Sequence, residues 1–329
     1  MSVTDFSLND LKLDAPVETQ RIVEALRQQL GRELKRRGLV IGLSGGIDST
    51  VTAALAVRAL GKEKVFGILM PERHSQSESS SLGQQVADSL GIACIEENIT
   101  GTLEAVGFYR RYDEAIREVV PEFGPGWLSK LVIGGVATGH GFTTFSIVAQ
   151  APDGRIVRER LPLKAYLGVV AATNFKQRIR KMIEYYHADR LNYAVAGTPN
   201  RLEYDQGFFV KNGDGSADVK PIAHLYKTQV YQLAEYLDLP AGIRQRKPTT
   251  DTYSMPQGQD EFYFALPYDK MDLCLYGLNH KLPAGSVAKA AGMTPESVEL
   301  AWADIERKRS TTRYLHLPPL LVENLQICP

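Results

Sequence analysis

The feature that most constrains the fold is a short apolar run that passes through a glycine-rich turn into a helix. The run is Leu39–Leu43, the turn is Ser44-Gly45-Gly46, and the helical stretch Ser49–Leu60 is rich in alanine, leucine and valine. Glycine lets the backbone approach a ligand closely, and the free N–H groups at a helix start attract an anion. The pattern therefore predicts a phosphate-binding turn between a buried strand and a helix.

The alternation of apolar strands with helices continues along the chain. Val65–Met70, Ile92–Ile99 and Tyr193–Ala196 are further predicted strands, and a helix is predicted over residues 79–90. Strands that alternate with helices favour parallel βαβ units. We therefore predict an α/β fold in which a doubly wound parallel sheet is flanked by helices.

The middle of the chain departs from this alternation. Phe142–Gln150 and Arg155–Leu161 flank Pro152-Asp153-Gly154, a turn sequence that predicts an inserted β-hairpin. Other helices are predicted over residues 17–34, 110–120, 167–190 and 226–237, and two more over 286–309. Since no repeat or linker is visible, we expect one domain over residues 1–329, with an insertion at 100–172.

Composition excludes several classes of protein. The 38 Lys and Arg residues balance 38 Asp and Glu residues, which argues against bulk nucleic-acid binding. The uncharged stretch 131–152 is too polar for a membrane span. The widely spaced Cys94, Cys274 and Cys328 predict neither a disulfide framework nor a zinc site, and residues 1–10 do not resemble a secretory signal. We expect a soluble cytoplasmic protein.

The glycine-rich turn fits neither the GxxxxGK(S/T) loop of ordinary NTPases nor the GxGxxG loop of dinucleotide-binding folds. Residues 44–49, Ser-Gly-Gly-Ile-Asp-Ser, instead resemble the pyrophosphate (PP) loop of the ATP pyrophosphatase superfamily. Members of that superfamily cleave ATP to AMP and pyrophosphate and adenylate a substrate. Later segments resemble the NAD synthetases in the same order: Ala196–Glu203, Gly207–Asp218, Leu225–Val230, Lys247–Asp251, Gln259–Glu261 and Tyr268–Asp272.

The resemblance implies an ammonia-dependent ligase that amidates deamido-NAD to NAD through an adenylated intermediate, with Mg²⁺ as cofactor. Asp48 and Lys227 are the implied catalytic residues, and Asp48 and Glu203 the implied Mg²⁺ ligands. The implied deamido-NAD contacts are Arg178, Lys211 and Asp218. The implied ATP contacts are Gly42, Leu43, Ser44, Gly45, Gly46, Ile47, Asp48, Ser49, Thr198, Lys227 and Thr249.

Several of these residues also have simpler structural explanations. Lys211 and Asp218 lie in a glycine-rich loop, where such residues usually form turns. Glu203 fits the first turn of a helix, Lys227 fits an ordinary helix start, and Arg178 with its basic neighbours fits a solvated helix face. These alternatives are left open by the residues alone.

The resemblance also implies a homodimer, with the N-terminal helix and the helix over 167–190 as candidates for the interface. The chain has no room for an amidase domain, so free ammonia is the expected nitrogen donor unless a separate amidase subunit supplies it. Three segments depart from the family: Arg307-Lys308 stands where His-Lys is usual, residues 251–260 lack the usual acidic run, and residues 100–172 are longer than the matching family segment. Two alternatives are a related PP-loop enzyme acting on another carboxylate or carbonyl, and a non-catalytic nucleotide-binding sensor.

Overall fold

The computed structural model describes residues 6–75, 77–134, 144–246, 252–258, 263–264 and 266–323. The strands are β1 (Leu39–Gly42), β2 (Val65–Leu69), β3 (Ala93–Glu96), β4 (Leu128–Gly134), β5 (Thr144–Gln150), β6 (Ile156–Arg160) and β7 (Ala194–Val195). Four of them form a parallel sheet in the order β3-β2-β1-β7. The first predicted run thus lies in the interior of the sheet, where its apolar residues are covered on both faces.

All of the predicted helices are present, and four further helices that were not predicted join them. The helices are α1 (Ala15–Gln28), α2 (Ile47–Leu60), α3 (Ser77–Leu90), α4 (Thr100–Ala105), α5 (Phe108–Arg117), α6 (Leu163–Leu191), α7 (Arg201–Gln206), α8 (Lys227–Tyr236), α9 (Ala241–Gln245), α10 (Tyr268–Asn279), α11 (Ala284–Ala291) and α12 (Pro295–His316). The four that were not predicted are α4, α7, α9 and α10. Short 3-10 turns cover Leu8–Leu11 and Lys62–Lys64, and a π-helical turn, Gln29–Leu34, extends α1. Proline at the start of α1 and of α12 is compatible with a first helical turn, which needs no N–H donor there.

Helices cover both faces of the parallel sheet. Leu39 and Ile41 of β1 pack in one core with α1, α2, α3 and α8, while Val40 packs on the opposite face with α5 and α6. All three side chains are fully buried. Successive strand residues point to opposite faces, so this arrangement confirms the predicted doubly wound α/β fold.

The inserted region forms a three-stranded antiparallel sheet in the order β4-β5-β6. The predicted hairpin is confirmed as β5 and β6, which are joined by a turn in which Gly154 has a φ of +89°. Strand β4 was not predicted; it pairs with β5 through Leu131 and Ile147, both fully buried. The single-domain organisation and the insertion bounds of 100–172 stay predictions.

None of the helices in the described part of the chain is long and apolar enough to cross a membrane.

Candidate active site

A cavity of about 860 Å³ opens at the carboxyl ends of β1, β2 and β7. Ligands of open parallel sheets bind at this edge. The cavity collects charged side chains from elements far apart in the sequence: Asp48, Lys176, Arg180, Lys181, Glu184, Glu203, Asp214, Lys227, Arg246, Asp304, Arg307 and Lys308. A cavity of this size and charge suits a phosphate-bearing ligand.

The predicted phosphate turn forms one wall of this cavity. Residues 42–44 and 46–49 line it, and Gly45 takes a positive φ of +70°. A Cβ atom on Gly45 would lie 2.8 Å from the Leu82 Cβ atom and 2.9 Å from the Ser79 carbonyl oxygen, so no larger residue fits without movement. Gly46 is the N-cap of α2 and offers no side chain to its first N–H groups. The helix start is therefore suited to an anion.

Lys227 begins α8 and points its ammonium group at Asp48 of α2. The side chain of Lys227 is 1% exposed, and its Nζ donates a hydrogen bond to Asp48 Oδ2. Asn200 Nδ2 donates to the other Asp48 oxygen at 3.2 Å. Burial alone would lower the pKa of Lys227, but the carboxylates of Asp48 and Glu203 raise it above its usual value. Lys227 is therefore a buried, permanent positive charge at neutral pH.

Glu203 combines its simpler structural role with a place in the cavity. It accepts a hydrogen bond from the Asn200 backbone N–H at 3.1 Å and completes a capping box at the start of α7. It also lines the cavity and acts electrostatically on Lys227. Among the described residues, no group of three or more His, Cys, Asp or Glu side chains is arranged to hold a metal ion. Asp48 and Glu203 are a pair of carboxylates rather than a closed metal cage.

The structure brings most of the predicted ATP residues together and places the predicted deamido-NAD residues elsewhere. Thr198 lines the cavity, whereas Thr249 lies outside the described residues. Three predicted deamido-NAD contacts do not line it: Arg178, Lys211 and Asp218.

Each of those three makes a structural contact. Arg178 Nε donates to the Lys211 carbonyl oxygen at 3.2 Å. Lys211 Nζ in turn donates to the carbonyl oxygens of Tyr314 and Leu317, at 2.7 and 3.2 Å, and so caps the end of α12. Asp218 accepts from the Val195 N–H at 2.7 Å. Their role in binding deamido-NAD stays a prediction.

The basic face of α6 is only partly solvated, contrary to the simpler interpretation. Arg178 is exposed, but Lys176 and Lys181 are buried. Lys181 Nζ lies 2.6 Å from Glu184 Oε2, and Lys176 Nζ lies 2.6 Å from Glu72 Oε1. A buried ammonium requires a partner of opposite charge, and these partners were not predicted.

The C-terminal basic residues also reach the cavity. Arg307 and Lys308 both line it, and both pair with Asp304, at 2.5 and 2.6 Å. Arg309 turns away and binds Asp205 through two nitrogens, at 2.5 and 2.8 Å. Arg307 and Lys308 therefore occupy positions from which they can contact a ligand. Whether they replace the His-Lys pair that is usual in the family stays a prediction.

Asp272 is a further residue whose role the sequence did not indicate. It is fully buried on α10 and accepts hydrogen bonds from the backbone N–H groups of Lys227 and Thr228, at 3.2 and 2.7 Å. Burial raises its pKa to about 6. Asp272 therefore holds the start of α8, and with it the backbone of Lys227, in place.

Asp272→Ala is expected to reduce the free energy of unfolding by about 2 kcal/mol or more, because two buried N–H groups lose their acceptor. Urea denaturation at pH 7.5 measures the change. Asp269→Ala, on the exposed side of the same helix, is the matched control. Equal stability of the two variants would remove Asp272 from this role.

Comparisons with known proteins match this chain to one family. The sequence profile of the NAD synthase family matches residues 18–122 and 155–314. The NH(3)-dependent NAD(+) synthetase of Rhizobium meliloti is 59% identical over 321 residues, which are 98% of this chain and 96% of that protein. The protein of the same name from Rhizobium rhizogenes is 58% identical over 317 residues, 96% of each chain.

A solved structure supports the fold independently. The NMN synthetase from Francisella tularensis superposes with a TM-score of 0.63, covering 94% of this chain and 99% of that one at 22% identity. At this identity the likeness concerns the fold alone, and that fold is the helix-flanked parallel sheet described above. The profile match over most of the chain and the relatives that are 59% and 58% identical lead to one conclusion: the chain belongs to the NAD synthase family.

Proposed function

We propose that this chain is a ligase that amidates deamido-NAD to NAD with ammonia and ATP, releasing AMP and pyrophosphate. The observation that carries the proposal is the meeting of the phosphate turn, Asp48, Glu203 and Lys227 at one cavity. Relatives named NH(3)-dependent NAD(+) synthetase match nearly the whole chain. Their similarity favours deamido-NAD as acceptor and ammonia as nitrogen donor over a related PP-loop enzyme with another acceptor or a nucleotide-binding sensor.

The reaction has two steps. The carboxylate of deamido-NAD attacks the α-phosphate of ATP, and pyrophosphate leaves. Ammonia then attacks the carbonyl carbon of the acyl adenylate, and AMP leaves. Negative charge grows on the phosphate oxygens in the first step, where the N–H groups at the start of α2 and the ammonium of Lys227 are placed to stabilise it. The protein contributes mainly position and charge.

Mg²⁺ is proposed as the cofactor of this site, held by Asp48 and Glu203. Carboxylate oxygens are the ligands that Mg²⁺ prefers, and it usually binds through one or two of them plus substrate phosphates. Both carboxylates line the cavity and both act on the same buried ammonium, so the donor set fits the ion. When bound, Mg²⁺ would neutralise charge on the ATP phosphates.

A homodimer is proposed on the exposed apolar face of α6. Leu167, Met182 and Tyr186 are 53%, 59% and 63% exposed, although they are large apolar or aromatic residues on one helix. Arg178, a proposed deamido-NAD contact, lies on the same helix and is also exposed. Burial of this face against a second copy would bring Arg178 to the interface, where a ligand could meet both subunits.

Met182→Asp is expected to convert a dimer into a monomer, because a charge would be buried in an apolar interface. Sedimentation velocity at micromolar concentration measures the state. Leu300→Asp, at a site on α12 that is 55% exposed, is the control and should leave the dimer intact. A monomeric wild-type protein, or a dimeric Met182→Asp variant, would contradict this assignment of the interface.

The proposed activity is tested by incubating the chain with deamido-NAD, Mg·ATP and ammonium, and measuring NAD and AMP. Equimolar NAD and AMP are expected. AMP formed only with another acceptor would indicate a related PP-loop ligase, and ATP binding without any product would indicate a nucleotide-binding sensor. Replacing ammonium with glutamine should abolish NAD formation; restoration by a second polypeptide would identify a separate amidase subunit.

A further inference from the structure

The antiparallel sheet lies against the segment 252–258 (hereafter the bridging segment), which borders the cavity. The NAD synthase profile stops at residue 122 and resumes at 155, so β4 and β5 fall outside the family match. The two strands nevertheless contribute Ile133 and Phe145 to the cavity lining. A part of the chain that the family pattern does not account for therefore shapes the site.

Strand β4 holds the bridging segment through main-chain groups. The Ser129 N–H donates to Ser254 Oγ at 2.8 Å, and the Met255 N–H donates to the Ser129 carbonyl oxygen at 3.1 Å. Further along, Gln257 Nε2 donates to the Leu131 carbonyl oxygen. Contacts from alternate β4 residues, Ser129 and Leu131, fix the register of the bridging segment as an added strand would.

Ser129 is the centre of this contact. Its side chain is fully buried, and its hydroxyl pairs with the Tyr112 hydroxyl of α5 at 2.9 Å. Its N–H and carbonyl groups both pair with the bridging segment. Every polar group of Ser129 thus forms a hydrogen bond. Loss of the Ser254 hydroxyl would leave the buried N–H of Ser129 without its acceptor.

The other side of the bridging segment is anchored to α6. Lys176 Nζ donates to the Thr252 carbonyl oxygen at 2.7 Å, and the same ammonium is held by Glu72 at 2.6 Å. Tyr253 is buried and forms a side-chain hydrogen bond with Thr173 of α6. Anchored between α6 and β4, the bridging segment presents Thr252 and Tyr253 to the cavity.

The resulting wall is mainly apolar and aromatic. The Phe145 ring stacks on the Tyr166 ring of α6, with centroids 4.0 Å apart and an interplanar angle of 18°. Ile133 and Tyr253 belong to the same lining. The faces of aromatic side chains stack well against planar ligand rings, and they attract a positively charged ring most strongly. The ring that carries the reacting carboxylate of deamido-NAD is a pyridinium, whereas phosphates suit the charged part of the cavity.

We propose that the antiparallel sheet is a positioning element for the acceptor: it fixes the bridging segment and, with it, the wall that receives the pyridinium ring. This inference rests on the proposed function for the identity of the acceptor. Ser254 is its principal positioning residue, because its hydroxyl joins the segment to a buried N–H of β4.

Ser254→Ala is expected to raise the KM for deamido-NAD at least ~10-fold, while the KM for ATP and kcat change less than ~3-fold. Ser254→Thr retains the hydroxyl and should restore the KM. Ser146→Ala is the matched control, because Ser146 lies on β5 of the same sheet and pairs with Val132 and Arg160 rather than with the bridging segment.

Hydrogen exchange tests the positioning without reference to activity. The Met255 amide is protected by its hydrogen bond to the Ser129 carbonyl oxygen, and it should exchange at least ~10-fold faster in Ser254→Ala than in the wild type. In Ser146→Ala its exchange rate should equal that of the wild type. Unchanged exchange together with a KM equal to that of Ser146→Ala would overturn the proposal. A wild-type protein that forms no NAD would refute the proposed function, and the exchange result would still decide whether the sheet positions the segment.

Discussion

Replacing Lys227 with alanine is expected to lower kcat for NAD formation at least ~100-fold, the effect of removing one preorganised charge that stabilises a transition state. The ammonium group of Lys227 is buried and forms an ion pair with Asp48. The carboxylates of Asp48 and Glu203 raise the pKa of Lys227. Without it, two carboxylates would face the phosphates of ATP with one positive charge fewer. The adenylation step should suffer most, because negative charge develops there.

The measurement is NAD formation under saturating deamido-NAD, Mg·ATP and ammonium, followed for the variant and for Lys289→Ala. Lys289 is an exposed lysine of α11, so its removal should leave kcat unchanged. Thermal unfolding of both variants separates loss of catalysis from loss of fold. A Lys227→Ala variant that is folded and turns over within ~3-fold of the wild type would remove Lys227 from the catalytic role.

The parallel sheet and the phosphate turn were predictable because local sequence determines them. Leu39–Leu43 is apolar because both faces of β1 are covered, and Gly45 is required by a positive φ and by close contact with α3. Such signals lie within a few residues of the structure that they specify. The order of later motifs then indicated the family, and Thr198, Glu203 and Lys227 line the same cavity as the turn.

Other features were missed because they depend on partners far away in the sequence. Lys176 looked like part of a solvated helix face, but its carboxylate partner Glu72 lies 104 residues earlier. Strand β4 is a short run after a proline- and glycine-rich loop, and its strand character depends on pairing with β5. Neither periodicity nor local composition carries this information.

The predicted deamido-NAD residues illustrate a different limit. A motif match transfers residue types but not the number of subunits that surround a ligand. In one chain, Arg178 and Lys211 contact each other and the end of α12 rather than the cavity. Their proposed role therefore depends on the homodimer, which the Met182→Asp experiment tests.

Asp48→Asn is expected to lower kcat by at least ~100-fold as well, although the substitution leaves the number of non-hydrogen atoms unchanged and keeps a hydrogen-bonding side chain. The Asp48 carboxylate holds Lys227 through an ion pair and accepts a hydrogen bond from the side-chain amide of Asn200. An amide cannot balance the ammonium charge, and it is a poor ligand for Mg²⁺. Half-saturation by Mg²⁺ should therefore shift to higher concentration, with Asp269→Asn as the exposed control.

The pH dependence of the same variant gives a second measurement. In the wild type the pKa of Lys227 is raised, so the charge and the stability that it contributes are present at neutral pH and are lost only as the pH rises through that raised value. In Asp48→Asn, burial is opposed mainly by Glu203, so the pKa should fall and alkaline inactivation should begin at a lower pH than in the wild type. An alkaline limb that coincides with that of the wild type, or a kcat within ~3-fold of it, would show that Asp48 does not govern the charge of Lys227.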